Sequence, residues 1–195
     1  MNPITRKAIA VTRITHVCCS MLAAGAMVFF AVTGFMLNNE AMFDSEGPED
    51  NTIERTAPSE IIRDARQEEV VSYLRDECGM TGLLDEYNAD PDVIELTFKR
   101  PGGRTDITID RSDGQMEIMN EPASVTTALL DLHKGSSTGA IWRTLIDLTA
   151  ICLLLACLTG IVLWLATPKR RVLGLIALVI GLLAWCGAYL LYVPK

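Results

Sequence analysis

Long apolar runs without Asp, Glu, Lys or Arg set the organisation of this chain. They occupy Ile14–Leu37, Leu148–Ala166 and Val172–Tyr192. At 1.5 Å per residue, the 19 residues of the middle run would form a helix about 28 Å long, close to the hydrocarbon thickness of a bilayer. Because the upstream residues are compatible with a helix, this helix is expected to begin near residue 141. The pattern therefore predicts transmembrane helices at residues 14–37, 141–166 and 172–192.

Between the first two runs, the apolar residues change from helical spacing to strand spacing. Ser59 is predicted to cap a helix that ends near Gly79. The apolar face of this helix consists of Ile61, Ile62, Ala65, Val70, Val71 and Leu74. Alternation then predicts an antiparallel meander with tight turns, made of strands at Val93–Phe98, Thr105–Ile109 and Gln115–Met119.

One helix followed by three strands predicts a small α+β domain over residues 58–122. Its core should lie between the helix and one face of the sheet. The predicted core residues of the sheet are Ile94, Leu96, Phe98, Ile107 and Ile109. An acidic, polar composition predicts a linker over residues 38–57. Residues 123–140 are expected to form a loop that leads into the second membrane helix.

Charged residues are divided unevenly along the chain. Residues 39–140 contain nine basic and 23 acidic residues, whereas the remainder contains eight basic residues and one acidic residue. The positive-inside rule places residues 1–13 and the basic turn 167–171 in the cytoplasm, and the acidic domain and residues 193–195 outside. The first run exceeds the length of a signal-peptide h-region, so its helix should be retained. The predicted fold is an α-helical membrane anchor of three transmembrane helices with a small extracytoplasmic α+β domain.

Cysteine usage and charge argue against several kinds of site. Five of the six cysteines lie within predicted spans, where a thiol behaves as a small apolar group. Cys78 lies alone in the domain and is either a buried, unreactive thiol or a route to a covalent dimer. Neither a disulfide framework nor a structural zinc site is expected. The strong negative charge of the domain argues against nucleic acid as a partner.

The chain has two histidines, and both are candidate metal or haem ligands. His16 lies at the start of the first predicted span, and His133 lies in the polar segment before the second. A neutral imidazole nitrogen suits iron, and an ionisable residue within a membrane span is a functional hypothesis by default. The alternative is structural: His16 stays hydrated at the interface, and His133 caps the loop.

Arg143 is the third candidate for cofactor binding. It precedes Asp147 by four residues, a spacing that permits an ion pair on one helix face. Two roles are open for Arg143. It can snorkel to the interface beside Asp147, or it can bind a haem propionate or another anionic ligand.

The order of these motifs resembles the PepSY-associated transmembrane family. The residues that carry the resemblance are Arg13, His16, Thr33-Gly34, Leu37-Asn38, Leu132-His133, Gly135, Trp142-Arg143 and Leu158-Thr159-Gly160. The resemblance extends to about Pro168 and implies that the outer domain is PepSY-like. Larger relatives include haem-containing inner-membrane reductases of ferric siderophores, in which membrane histidines bind haem. Other PepSY-bearing proteins are linked to control of extracytoplasmic peptidases, without a redox role.

Two features depart from the family pattern. Relatives often have a histidine just after the first helix, where this chain has Asn38-Asn39, and the larger reductases have more helices and histidines. His16 and His133 are expected near opposite faces of a hydrocarbon core roughly 30 Å thick, so they cannot bind one iron from opposite sides. A two-fold dimer would instead pair each histidine with its copy and hold two b-type haems.

Two functions follow from the resemblance, both in a bacterial inner membrane. The first is b-type haem electron transfer that serves the reduction of ferric chelates, such as siderophores, outside the cell. The alternative is a non-enzymatic accessory or regulatory module whose PepSY-like domain binds a peptide, a peptidase or a partner subunit. The expected partners are therefore the lipid bilayer, a second copy or another membrane subunit, and a ferric chelate or a peptide.

Overall fold

The structure is a computed structural model and describes residues 2–43, 51–64 and 66–194. In chain order the elements are α1 (Pro3–Asn38), α2 (Glu40–Phe43), β1 (Asn51–Thr56), α3 (Ser59–Asp64), α4 (Gln67–Asp76), β2 (Leu83–Ala89), β3 (Val93–Arg100), β4 (Gly103–Asp110), β5 (Gln115–Glu121), α5 (Val125–Lys134), α6 (Gly139–Leu165) and α7 (Arg171–Tyr192). A 3-10 turn, Pro168–Arg170, precedes α7. The chain divides into two compact units. One contains α1 up to Met27 and the chain from Asp147 onward, and the other runs from Val28 to Ile146.

Among the residues that the structure describes, three helices are long and apolar enough to cross a membrane. They are Pro3–Asn38, Gly139–Leu165 and Pro168–Tyr192, and their most apolar windows have mean hydropathies of 2.0, 2.5 and 2.3. Few of the side chains in these windows are buried within the chain, as expected of helices whose surroundings are lipid. Long apolar helices lie where the three spans were predicted, and they support a multi-pass membrane protein.

The turn between α6 and α7 is closed by Trp164. Its indole Nε1 donates a hydrogen bond to the carbonyl of Arg170 over 3.1 Å, and Arg171 Nε donates to the carbonyl of Leu165 over 2.8 Å. The indole also covers Gly174, where a Cβ atom would overlap the ring. The two helices are therefore joined by a tight hairpin that depends on a glycine.

The middle of the chain forms a five-stranded antiparallel sheet in the order β1-β5-β4-β3-β2. On one face, Val70 and Leu74 of α4 are fully buried against it. The predicted core is confirmed, since all five of its members are buried there: Ile94, Leu96, Phe98, Ile107 and Ile109. The other face is mostly polar. One row of residues crosses all five strands on this face, in the order Asn88, Glu95, Thr108, Glu117 and Glu54.

Two strands were not predicted. Asn51–Thr56 lies in the predicted linker but forms the edge strand β1, paired with β5. Its side chains are all exposed, so no apolar alternation marks it in the sequence. β2 has an irregular register between Leu84 and Glu86, and this shift breaks the period-two pattern by which a strand is recognised. The remainder of the linker includes residues 44–50, which lie outside the described residues.

The prediction of one continuous helix after Ser59 is wrong, because α3 and α4 are separate helices. Arg66 has φ −73° and ψ 124°, an extended conformation that breaks the helix. Ser59 is the first residue of α3 rather than its cap, and the carbonyl of Pro58 accepts the first backbone hydrogen bonds. Ala65, assigned to the apolar face, lies outside the described residues. Gly79 has φ +68° and turns the chain after α4, as expected of a glycine past a helix end.

The predicted loop over residues 123–140 is also wrong in part, because Val125–Lys134 forms helix α5. Its ten residues have too short an apolar pattern to stand out beside the membrane helix that follows. The correction changes the setting of His133, which lies in the last turn of a helix. The predicted external C-terminus includes Lys195, which lies outside the described residues.

Candidate histidine sites

His133 is held at the C-terminal end of α5 by a turn that the LHKG motif builds. Gly135 takes the left-handed conformation, φ +72°, that ends the helix. The indole Nε1 of Trp142 donates to the carbonyl of Leu132 over 2.8 Å, so it satisfies one of the carbonyls left open at the helix end. Each of these residues therefore fixes the backbone beside the imidazole.

The imidazole of His133 lies on the Thr33-Gly34 step of α1. Its Nδ1 is 2.6 Å from the hydroxyl oxygen of Thr33, and that hydroxyl donates to the carbonyl of Phe29 over 2.7 Å. The ring of Phe30 meets the imidazole edge to face, with centroids 5.2 Å apart. A Cβ atom on Gly34 would lie 3.4 Å from His133 Cε1, so the imidazole rests directly on the helix backbone.

The sheet anchors the helix that carries His133. The backbone N–H of Gly102, in the turn between β3 and β4, donates to the carboxylate of Asp131 over 2.8 Å. The N–H of Ser124 donates to the carbonyl of Gly102 over 3.3 Å. Gly102 has φ +77°, and a Cβ atom there would come within 2.7 Å of the backbone of Ser124 and Ala128. This turn requires glycine both for its conformation and for its contact with α5.

His16 lies against a second Thr-Gly pair, Thr159-Gly160 of α6. Both belong to the unit formed by the first part of α1 and the chain from Asp147 onward. Its Nδ1 is 2.9 Å from the carbonyl oxygen of Ala156 and 3.2 Å from the hydroxyl of Thr159. That hydroxyl donates to the carbonyl of Leu155 over 2.6 Å. A Cβ atom on Gly160 would lie 3.3 Å from His16 Cε1. His16 is therefore half-buried against α6.

The two histidines share one arrangement of donors and acceptors. In each, Nδ1 makes a hydrogen bond and Cε1 lies against a glycine of the neighbouring helix. Among the described residues, no hydrogen bond to Nε2 is found for either histidine. Both side chains are partly exposed, and no buried side-chain nitrogen or oxygen without a partner is found among the described residues. Nε2 of each histidine is therefore at least partly accessible from outside the chain. Within the described residues, no three His, Cys, Asp or Glu side chains cluster as a metal site. Each site thus offers a single imidazole nitrogen to an external ligand.

Arg143 is exposed and lies beside the turn at Gly135, where a Cβ atom would be 3.6 Å from Arg143 Cγ. The ion pair that its spacing with Asp147 permits is absent from the salt bridges of the described residues. Its guanidinium is therefore available to an anion or to the aqueous interface.

Thr33 and Thr159 are the site residues that sequence reasoning missed. Both belong to the motif series, but their hydroxyls were not assigned a role. The available signal was the repetition of Thr-Gly in two different membrane helices. Thr33 is 1% exposed, and a polar side chain so deeply buried in a membrane helix requires a partner.

Comparison with known proteins identifies a family. Residues 8–194 match the family model described as Putative PepSY_TM-like. No curated protein and no solved structure matches the chain.

Proposed function

Because the chain belongs to the Putative PepSY_TM-like family, we propose that it is a b-type haem electron-transfer component of a bacterial inner membrane. The activity it serves is the reduction of ferric chelates, such as siderophores, on the extracytoplasmic side. The uneven charge supports an orientation with the N-terminus in the cytoplasm and the sheet domain outside.

The observation that carries this proposal is the open Nε2 atom of each histidine. Histidines that bind a metal through one ring nitrogen commonly donate the other N–H to a protein acceptor, which orients the ring. His16 and His133 both have acceptors at Nδ1 and both leave Nε2 to an external group. An unpaired ring nitrogen at the edge of a bilayer is costly unless a ligand or water satisfies it. Each imidazole could therefore hold a haem iron through Nε2.

In a two-fold dimer, the same histidine of the second copy would complete each site. An axis along the membrane normal would bring His16 to its own copy and His133 to its own copy, with one haem b between each pair. Such a group supplies one-electron transfer when bound. This chain's residues would orient the imidazoles, and Arg143 near the His133 site either snorkels to the interface or pairs with a propionate.

Haem content of the purified protein tests the proposal. Protein from haem-replete cells should contain about one haem per chain, since two haems are shared by two chains. His16→Ala and His133→Ala should each remove about half of it, and the double variant should remove all. A colourless wild-type protein, with normal membrane insertion, rejects haem electron transfer.

One observation favours the second function, an accessory module that binds a peptide, a peptidase or a partner subunit. On the polar face of the sheet, Glu54 and Glu117 stand directly opposite each other, with Glu95 in the same row. Like charges placed across a strand pair destabilise a sheet, and a basic peptide would relieve that repulsion. If the wild type is colourless, binding of a lysine-rich peptide that Glu54→Gln/Glu117→Gln abolishes would support this function.

A further inference from the structure

The proton positions at His16 follow from the chemistry of its partners. The carbonyl oxygen of Ala156, 2.9 Å from Nδ1, has no proton and can only accept a hydrogen bond. Nδ1 of His16 must therefore carry the proton. In a neutral imidazole one ring nitrogen is protonated and the other has a lone pair, so the lone pair lies on Nε2.

The same reasoning applies to His133 through a hydroxyl relay. A threonine hydroxyl has one proton to donate, and that of Thr33 is donated to the carbonyl of Phe29 over 2.7 Å. The 2.6 Å contact with Nδ1 of His133 is then a hydrogen bond only if Nδ1 is the donor. The Thr159 hydroxyl can donate its proton to the carbonyl of Leu155 over 2.6 Å or to that of Ala156 over 3.1 Å. In either case its proton points to the helix backbone and not to the imidazole.

We propose that the Thr33-Gly34 and Thr159-Gly160 steps are two copies of one histidine-positioning device. In each, the threonine hydroxyl accepts from Nδ1–H, and the glycine lets Cε1 approach the helix backbone. The ring is thereby fixed in the Nδ1–H tautomer, with the lone pair of Nε2 directed away from the threonine. Thr33 is a positioning residue, whereas Thr159 shares that role with the Ala156 carbonyl. The role of both threonines in iron ligation rests on the proposed haem function.

The two copies differ in the number of acceptors, and this difference gives a sharp test. His16 has two acceptors at Nδ1, the Ala156 carbonyl and the Thr159 hydroxyl, whereas Thr33 is the acceptor found for His133 within the described residues. Removing the Thr33 hydroxyl should therefore release the tautomer of His133. Removing the Thr159 hydroxyl should leave that of His16 in place, because the backbone carbonyl remains.

Nitrogen-15 NMR of histidine distinguishes a protonated ring nitrogen from an unprotonated one and so reports the tautomer. Because the chain has two histidines, each signal can be assigned by substituting one of them. The full chain, labelled at histidine and embedded in lipid nanodiscs, is produced in cells that make no haem. The pH is set about two units above the free imidazole pKa of about 6.5. His16→Gln and His133→Gln assign the signals. In the wild type both residues should show a protonated Nδ1 and a bare Nε2.

The variants then separate positioning from general structure. Thr33→Val should give His133 a substantial Nε2–H population, the form that free histidine prefers, and Thr33→Ser should restore the wild-type spectrum. Thr159→Val should leave the His16 tautomer unchanged. Thr12→Val and Thr144→Val are matched controls, since each removes a hydroxyl bonded to the carbonyl four residues earlier on the same helices, at an exposed site. Neither control should alter either histidine.

A wild-type Nε2–H signal from either histidine overturns the proposal, and so does a His133 spectrum that Thr33→Val leaves unchanged. The haem function is judged by a separate measurement on haem-replete protein. If haem is present, Thr33→Val should shift the midpoint potential of one haem upward, because the weakened Nδ1–H bond makes the imidazole a poorer donor to ferric iron. Colourless protein with the expected tautomers rejects haem but keeps the positioning device.

Discussion

The sheet domain and the membrane helices are stabilised by different kinds of interaction. In the sheet, Phe98 and its neighbours are removed from water into a closed core, and hydrophobic burial supplies the driving force. In α7 no side chain is buried within the described residues. Because lipid tails are as apolar as leucine, helix contacts gain little from burial and depend on close packing and hydrogen bonds. Polar residues therefore determine the specific contacts between the helices, whereas apolar residues determine the packing of the sheet domain.

The largest expected effect concerns the side of the membrane on which the sheet domain lies, because a cysteine is labelled either fully or not at all, depending on its side. In a chain whose six native cysteines are replaced by serine, single cysteines are introduced at Glu60, Asp113, Lys169 and Lys195. An impermeant thiol reagent applied to intact cells should label all except the one at Lys169. Protection at Lys195 with labelling at Asp113 would remove the third span from the topology. Labelling at Lys169 alone would invert the orientation.

The next effect compares the same substitution in two environments. Phe98→Ala should lower the opening free energy of β3 by about 3–5 kcal/mol, the usual cost of deleting a buried aromatic ring. Phe35→Ala is the matched control, because Phe35 is 58% exposed and packs edge to face with Phe43. Its cost should be below about 1.5 kcal/mol. Hydrogen exchange of the full-length protein in nanodiscs measures both, and equal costs would refute the contrast drawn between the two regions.

A smaller effect is expected where the sheet meets α5. Gly102→Ala should loosen α5, because the new methyl group overlaps the backbone of Ser124 and Ala128. Gly79→Ala is the control: Gly79 also has positive φ, but a Cβ atom there has nothing within 4 Å. The control should cost about 1–2 kcal/mol for backbone conformation alone. If Gly102→Ala destabilises the domain no more than Gly79→Ala does, the contact between Gly102 and α5 contributes nothing to stability.

The smallest effect is expected at Arg143. An exposed charge contributes about 0–1 kcal/mol to a surface ion pair, so Arg143→Ala should leave haem content nearly unchanged. Pyridine haemochrome absorbance per chain provides the measurement, and Arg143→Lys, which retains the charge, is the control. Substantial haem loss in Arg143→Ala, with normal insertion, would instead assign the guanidinium to a propionate.

The membrane helices and the sheet domain also differ in how far their structure could be predicted from the sequence. A membrane span is defined by length and composition, so three spans could be located before any packing was known. The sheet core followed from alternation at Ile94, Leu96 and Phe98. The strand Asn51–Thr56 could not be found because all its side chains are exposed, and its place in the sheet depends on pairing with β5, a contact distant in sequence. Thr33 and His133 are 100 residues apart, and helix periodicity does not encode such a contact.

The contact between Trp164 and Gly174 has a consequence for how the protein is made. The two residues are ten positions apart in the chain, so the indole can reach its site as soon as the following helix begins to emerge from the ribosome. Closing a loop of about ten residues takes on the order of 10–100 ns, whereas synthesis adds about 5–20 residues per second. Once both residues are outside the ribosome, the hairpin can therefore close in far less time than the addition of one residue takes.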